Sequence, residues 1–488
     1  MASSAFEVWG KKYGLILSIA VGLMVWFVLP MPQGLSPTQH KLLTIFASAV
    51  TVWITQGIGF GCSAFVVCAL LYFWVGNPTG ELNKQGNLIR NAGFAITGFS
   101  NVGLWLQQAG FIISIAMMET GVAKRVALTL LRYLGKRPFG AIFTPMLANM
   151  FVAPLTPSNT ARTAALLPVV EGVAEAYKAE KGSNFGKALF TANTMSSNIT
   201  ASAFMTGTVP NPIAISMIVA AAGASTMTSW GFWTLVSAPI NMVLLVLTVF
   251  IVLRLFKPEM DELPGGIKFI DEELAKMGPM SSSEKRAVLY FLVALVLWST
   301  DLWHNFNATY IAFIAAILIL LPKIGVLDWK KVDKGLPWEM YVYFGGVLTL
   351  SGALVSSKAM EVLMKAAIAA LGIQNPSMLP FSILLMGFTI FAHMFWSTTT
   401  AMCGVMIPIY IGIAQTFGFP LVQFVLPQAF LLGYAFFFPF NTQGNVLMLG
   451  AGYHTATDQF RVGMCVGLTA WALWALAALF YFPLVGLR

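Results

Sequence analysis

The stretch TPSNTARTAALLP, Thr156–Pro168, sets Ser158, Asn159, Thr160, Arg162 and Thr163 between apolar runs. The chain around it has 488 residues, 58% hydrophobic and only 10% charged, with a mean hydropathy of +0.78. Soluble domains carry about a quarter charged residues. Several apolar runs approach the roughly 20 residues that cross a bilayer as a helix. The composition therefore predicts an all-α integral membrane protein. In such a protein, irregular polar backbone at membrane depth must be buried in protein or line a wet cavity.

The run Tyr13–Leu29 is long enough to span and lacks a small-residue cleavage site, so no cleavable signal is expected. Cys62, Cys68, Cys403 and Cys465 all sit in apolar segments and read as packing residues rather than disulfides or metal ligands. The net charge of +9 reflects basic cytoplasmic loops rather than a nucleic-acid partner.

The expected spans are 13–29, 41–57, 59–75, 99–121, 188–222, 231–256, 287–304, 307–322, 340–371, 421–451 and 462–484, about eleven transmembrane helices. Two further apolar stretches, 138–178 and 378–418, are interrupted midway by polar residues. Charge orients the chain. With the N-terminus and Lys11 and Lys12 in the cytoplasm, loop 122–137 brings Lys124, Arg125, Arg132, Lys136 and Arg137 inside with no acid. Loops 254–286 and 323–339 add further basic clusters, while 222–231, 372–377 and 417–420 on the outside carry no charge. The positive-inside rule fails only around Lys84 and Arg90 and at Lys41. The pattern places the C-terminus outside. It is the same whether each interrupted stretch is a re-entrant hairpin or two crossings. Arms of about 17 residues, marginal for a crossing, favour hairpins. Segment 122–137 is amphipathic and reads as a surface helix.

The opening stretch recurs. SNTARTAALLP (158–168) aligns with TTTAMCGVMIP (398–408) without a gap, matching Thr160 with Thr400, Ala161 with Ala401 and Pro168 with Pro408. Each half then has a second polar break, TGTVPN (206–211) and FNTQGN (440–445), matching Thr208 with Thr442 and Asn211 with Asn445. The first hairpin enters from the cytoplasm and the second from outside. That is an inverted repeat, an architecture of secondary transporters.

Polar hairpin tips cap the helices that follow them, and the free N–H groups at such starts favour an anion. No Asp or Glu occurs in 138–170, 188–258 or 362–457, the windows that hold both tips and both breaks. A cation path or proton relay would place acids there. Arg162 stands there instead. The site residues expected for substrate are Ser158, Asn159, Thr160, Arg162, Thr208, Thr398, Thr399, Thr400 and Thr442, with no metal or cofactor. Ser and Thr clusters also serve as interhelical hydrogen bonds, and Arg162 also reads as a snorkelling anchor. His393 reads as a hydrogen-bonded core residue. The acid-free windows hold no catalytic cluster, so an enzyme is not expected.

TPSNTART, TTTA and the two Thr/Asn breaks resemble the divalent anion:sodium symporter (DASS) family over most of the chain, nearest to its exchanger branch. The resemblance implies di- or tricarboxylate substrates, a homodimer and an elevator mechanism in the inner (plasma) membrane. It implies a scaffold of 1–137 and 287–377, a linker 257–286, and a transport domain of 138–256 and 378–488. Within that domain, 138–178 and 378–418 are hairpins, and 188–222 and 421–451 are broken helices. Sodium-coupled members have a small or hydroxyl residue in place of Arg162 and Asn in place of Thr399. The chain is therefore expected to exchange anions without Na⁺, the guanidinium supplying the positive charge. The alternative is a Na⁺-coupled dicarboxylate symporter.

Overall fold

A computed structural model of the chain describes residues 5–28, 34–261 and 268–487. Residues 29–33, Arg488 and positions 262–267 of the expected linker lie outside the described residues.

The first half runs through α1 (Ala5–Phe27), α2 (Pro37–Thr55), α3 (Phe60–Leu70), the single turn α4 (Ala92–Ala95), α5 (Val102–Thr120) and α6 (Val122–Leu134). It continues with α7 (Pro138–Val152), α8 (Asn159–Ala176), α9 (Asn184–Ala203), α10 (Pro210–Ala222) and α11 (Trp230–Leu255). Helix α12 (Lys268–Met277) lies in the linker. The second half comprises α13 (Ser282–Ser299), α14 (Asp301–His304), α15 (Ala308–Leu320), α16 (Trp329–Gly335), α17 (Trp338–Ser356) and α18 (Ala359–Ala370). It ends with α19 (Met378–Ala392), α20 (Thr399–Phe417), α21 (Leu421–Ala429), α22 (Gln443–Gly450), α23 (Ala456–Leu476) and α24 (Phe482–Val485). The protein is all-α: among the described residues the only extended pairing is the isolated bridge Leu82–Leu88.

With so few charges, the helices start on short neutral caps. Ser36, Asn101, Ser158, Ser183, Ser229, Thr398 and Thr442 each accept a backbone N–H of the helix that follows. Among the described residues, seven helical segments are each long and apolar enough to cross a bilayer, or eight if the bent pair α17–α18 is one span. Three of the seven are arms of the expected hairpins; of the remaining expected crossings, 41–57 and 287–304 coincide with the continuous but less apolar α2 and α13, and the others with broken or shorter helices.

The expected span 340–371 is one such case. The chain turns at Lys358, held in the left-handed region at φ 59°, and α17 and α18 meet at 69°. The first half makes the same turn at Gly121, φ 75°, between α5 and the amphipathic α6. The repeat thus extends outward from the hairpins: α5, α6, α7, α8, α9 and α10 correspond to α17, α18, α19, α20, α21 and α22. Packing between the halves is reciprocal. Helix α10 packs on α20 and α22 on α8; α9 meets α22 and α21 meets α10; α5 packs on α15 and α17 on α3. A two-fold relation between the halves requires each contact to be answered in this way.

Ion pairs clamp the linker to the first half. Arg125 pairs with Glu284 at 2.8 Å, Lys124 with Glu273 at 2.9 Å and Arg132 with Asp271 at 3.0 Å. Hydrogen bonds from Lys276 and Lys124 hold the Glu273 carboxyl down at about 2. At the other extreme, α9 is the centre of the molecule. From Phe185 to Ala203 every residue but Lys187 is buried. Its threonine hydroxyls donate to its own preceding turn, Thr191 to Lys187 O at 2.6 Å, Thr194 to Phe190 O at 2.8 Å and Thr200 to Ser196 O at 2.9 Å.

Candidate functional site: four helix starts

Each hairpin has its irregular turn where the sequence placed it. Helix α7 tightens into a 3-10 turn, Ala153–Leu155, and α8 starts at the Ser158 cap. Helix α19 tightens at His393–Phe395, and α20 starts at the Thr398 cap. The caps are used in the same way: Ser158 Oγ accepts from Ala161 N at 3.2 Å, and Thr398 Oγ1 from Ala401 N at 3.0 Å.

The two breaks are also built alike. Asn211 Nδ2 donates to Ala201 O at 2.8 Å and Phe204 O at 2.9 Å, ten and seven residues back. Asn445 Nδ2 donates to Ala435 O at 2.8 Å and Phe438 O at 3.2 Å, again ten and seven back. These amides satisfy carbonyls that the unwound backbone would otherwise bury unpaired.

Contacts join the four starts in a ring. Arg162 ties the first tip to the first break. Cys403 Sγ of α20 lies 3.4 Å from Pro210 O at the start of α10. Asn441 Nδ2 joins the second break to the second tip through Trp396 O at 2.7 Å and His393 O at 2.8 Å. The ring closes at Gly444 on α22, where a Cβ would come 2.8 Å from Thr163 Oγ1 on α8.

Arg162 is fully buried, and its guanidinium has five N–H groups. Nε donates to Asn149 Oδ1 at 2.9 Å. Nη1 donates to Thr156 O at 2.5 Å and to Gly207 O. Nη2 donates to Asn159 Oδ1 at 2.8 Å and Ser197 O at 3.2 Å. All five acceptors are neutral. The guanidinium therefore has no counter-charge among its partners, and its fork is engaged by the protein. The direct fork-to-substrate contact that the sequence suggests is not free to form in this geometry.

From Arg162 an amide chain crosses between the halves. Asn159 Nδ2 donates to Asn198 Oδ1 at 3.2 Å, and Asn198 Nδ2 donates to Asn445 Oδ1 at 2.9 Å. Thr163 Oγ1 and Ser197 Oγ lie 2.8 Å apart beside it. The nine expected site residues thus divide by use. Ser158, Thr398 and Thr442 cap their helices, and Asn159 and Arg162 belong to the network. Among the described residues, the hydroxyls of Thr160, Thr208, Thr399 and Thr400 make no hydrogen bond. Sequence reading missed Asn149, Ser197, Asn198 and Asn441. The signal for two of them was present in NTMSSNIT (193–200), too polar for an ordinary span. His393 is a core residue: Nδ1 lies 3.0 Å from Thr389 O and Nε2 lies 3.2 Å from Leu432 O.

Two clefts of about 300 and 450 Å³ open beside α5 and α10 and share Asn101 and Ser216. Neither is lined by an expected site residue. Unbonded hydroxyls at four joined helix starts, rather than open volume, mark the place for an anion, so the ring is the candidate site.

The model of the sodium:sulfate symporter transmembrane region matches residues 10–487. The chain belongs to this family. Similar sequences include a Cupriavidus necator membrane protein, 28% identical over 97% of this chain and 93% of its own. The L-tartrate/succinate antiporter of Escherichia coli is 25% identical over 94% of this chain and 95% of its own. The putative malate transporter YflS of Bacillus subtilis is 28% identical over 70% of each chain. The fold is similar to the YdaH transporter of Alcanivorax borkumensis, with a TM-score of 0.55 over 86% of this chain and 98% of that one, at 12% identity. It is also similar to MtrF of Neisseria gonorrhoeae, with a TM-score of 0.53 over 94% and 96%, at 11% identity. Family and fold make the chain a multi-pass membrane transporter rather than an enzyme.

Proposed function

We propose that the protein exchanges small di- or tricarboxylates, such as succinate, malate or 2-oxoglutarate, across the inner (plasma) membrane without Na⁺. The observation that carries this reading is where Arg162 sits. Backbone carbonyls at helix breaks are the groups that coordinate Na⁺ in transporters of this architecture. Here Thr156 O at the first tip, Gly207 O at the first break and Ser197 O in α9 already accept guanidinium N–H groups. In the second half, Trp396 O and His393 O accept the Asn441 amide. Positive charge is thus built in at one junction, and these five carbonyls already have donors from the protein. The names of the tartrate/succinate antiporter and the putative malate transporter support dicarboxylates as the substrate class.

In this reading, Thr160, Thr208, Thr399 and Thr400 present hydroxyls to the two carboxylates, and the four helix starts supply N–H dipoles. Asn159 and Arg162 hold the tip and set the local potential. Segments 138–256 and 378–488 move as a transport domain against a homodimeric scaffold of 1–137 and 287–377. The N-terminus is cytoplasmic and the C-terminus outside. An empty carrier leaves a buried cation without an anion, which disfavours its return and makes exchange obligatory. Purified protein in vesicles tests this: labelled succinate should enter only when the lumen holds an unlabelled di- or tricarboxylate. Equal entry into vesicles that hold only sulfate or buffer would overturn the proposal.

A further inference from the structure

The face of α5 that meets the hairpin elements carries Gly103, Gln107, Gly110 and Ser114, spaced as one side of a helix. Gly103 lies so close to Pro212 O and Ser216 Oγ of α10 that a Cβ would overlap both. A Cβ at Gly110 would come 3.1 Å from the ring of Pro157, the residue before the Ser158 cap. Gln107 stands one turn from each glycine, between the start of α10 and the first tip. Its side chain is 1% exposed, and neither Nε2 nor Oε1 has a hydrogen-bond partner. Gln108 is equally unpaired, but it points about 100° away around the helix. The corresponding helix α17 repeats the arrangement. Tyr343, fully buried, has an unpartnered hydroxyl one turn from Val347, which packs on Gly404 of α20.

Buried polar groups in native structures almost always have partners, and both of these stand at the seams where α5 and α17 meet the site elements. We infer that Gln107 is a substrate contact supplied from outside the hairpin pair: its amide N–H donates to a carboxylate oxygen of the anion held at the first tip. The inference rests on the dicarboxylate-exchange reading. Because α5 belongs to the part that stays still, the contact exists in only one end state. It raises affinity on one face of the membrane and not on the other. Tyr343 is its counterpart at the second tip.

The experiment measures half-saturation for labelled succinate separately at each face, in oriented proteoliposomes. Gln107→Leu should weaken one face roughly tenfold, the loss expected for one hydrogen bond to a charged group, and leave the other within about twofold. A purely packing role would lower the maximal rate and leave both half-saturations alone, which overturns the inference, as does equal weakening at both faces. If Gln107→Leu does not fold, the nearly isosteric Gln107→Glu replaces it and should give a larger one-sided loss, because it sets a carboxylate against a dianion. Asn159→Ala serves as the reference and should weaken both faces. If it too is silent, the site itself is misplaced; if it weakens binding and Gln107→Leu does not, this inference alone fails.

Discussion

Arg162 is a buried cation whose five donors meet five neutral acceptors, so its replacement acts on geometry as well as charge. Arg162→Ala strands those acceptors and removes the positive charge, and exchange should be nearly abolished. Arg162→Lys keeps the charge but offers three donors from a point rather than a planar fork. It should retain only a small fraction of exchange in a counterflow assay. Near-normal exchange by Arg162→Ala would show that the cation is not needed. Asn159 joins Arg162 to Asn198, so Asn159→Ala removes contacts worth about 1–3 kcal/mol. It should weaken succinate half-saturation roughly tenfold in monodisperse purified protein, and unchanged half-saturation would remove Asn159 from the site. At this scale the sequence was half legible. Polar residues at a hairpin tip stand where a helix must start, so the caps at Ser158 and Thr398 could be read, while the cap at Thr442 was read only as a polar break. The partners of Arg162 could not. Ser197 and Gly207 lie 35 and 45 residues away, and they contribute backbone oxygens that every residue type carries.

The elements hold the site by close approach at their first turns. Gly444 and Gly450 lie in the same short helix, α22, and both would bear a valine at similar intrinsic helical cost. A Cβ at Gly444 meets Thr163 Oγ1, whereas at Gly450 nothing lies within 4 Å. Gly444→Val should therefore push α22 off α8 and abolish exchange, while Gly450→Val should keep most of it. Equal rates in the two variants would mean that the ring need not be closed. The hairpins and breaks were legible because two landmarks recur in one order. The bend between α17 and α18 was not, because a lysine, Lys358, takes the left-handed turn that Gly121 takes in the first half. The apolar run 340–371 therefore read as one continuous span. The unwound stretch from Phe430 to Phe438 was hidden for a related reason. It is apolar in sequence, and its carbonyls are met by distant side chains such as His393 and Asn445.

At the scale of the molecule, the proposed motion requires the hairpin elements to break their contacts with the scaffold helices. One such contact is Gln56 Nε2, at the end of α2, to Ser397 Oγ at the second tip, 3.0 Å apart. A cysteine at 397, in protein stripped of its four native cysteines, should change its labelling rate when succinate is added. A rate indifferent to substrate would argue for a fixed pore. The reciprocal packing of the halves offers a two-fold frame for the proposed motion, and in that proposal Arg162 determines what the motion is coupled to. The direct test loads proteoliposomes with unlabelled succinate and follows entry of labelled succinate with Na⁺, and then with K⁺, as the only external cation. A resident guanidinium predicts the same rate in both cations, and no entry into empty vesicles. Accumulation in empty vesicles, driven by an inward Na⁺ gradient and lost in K⁺, would contradict it.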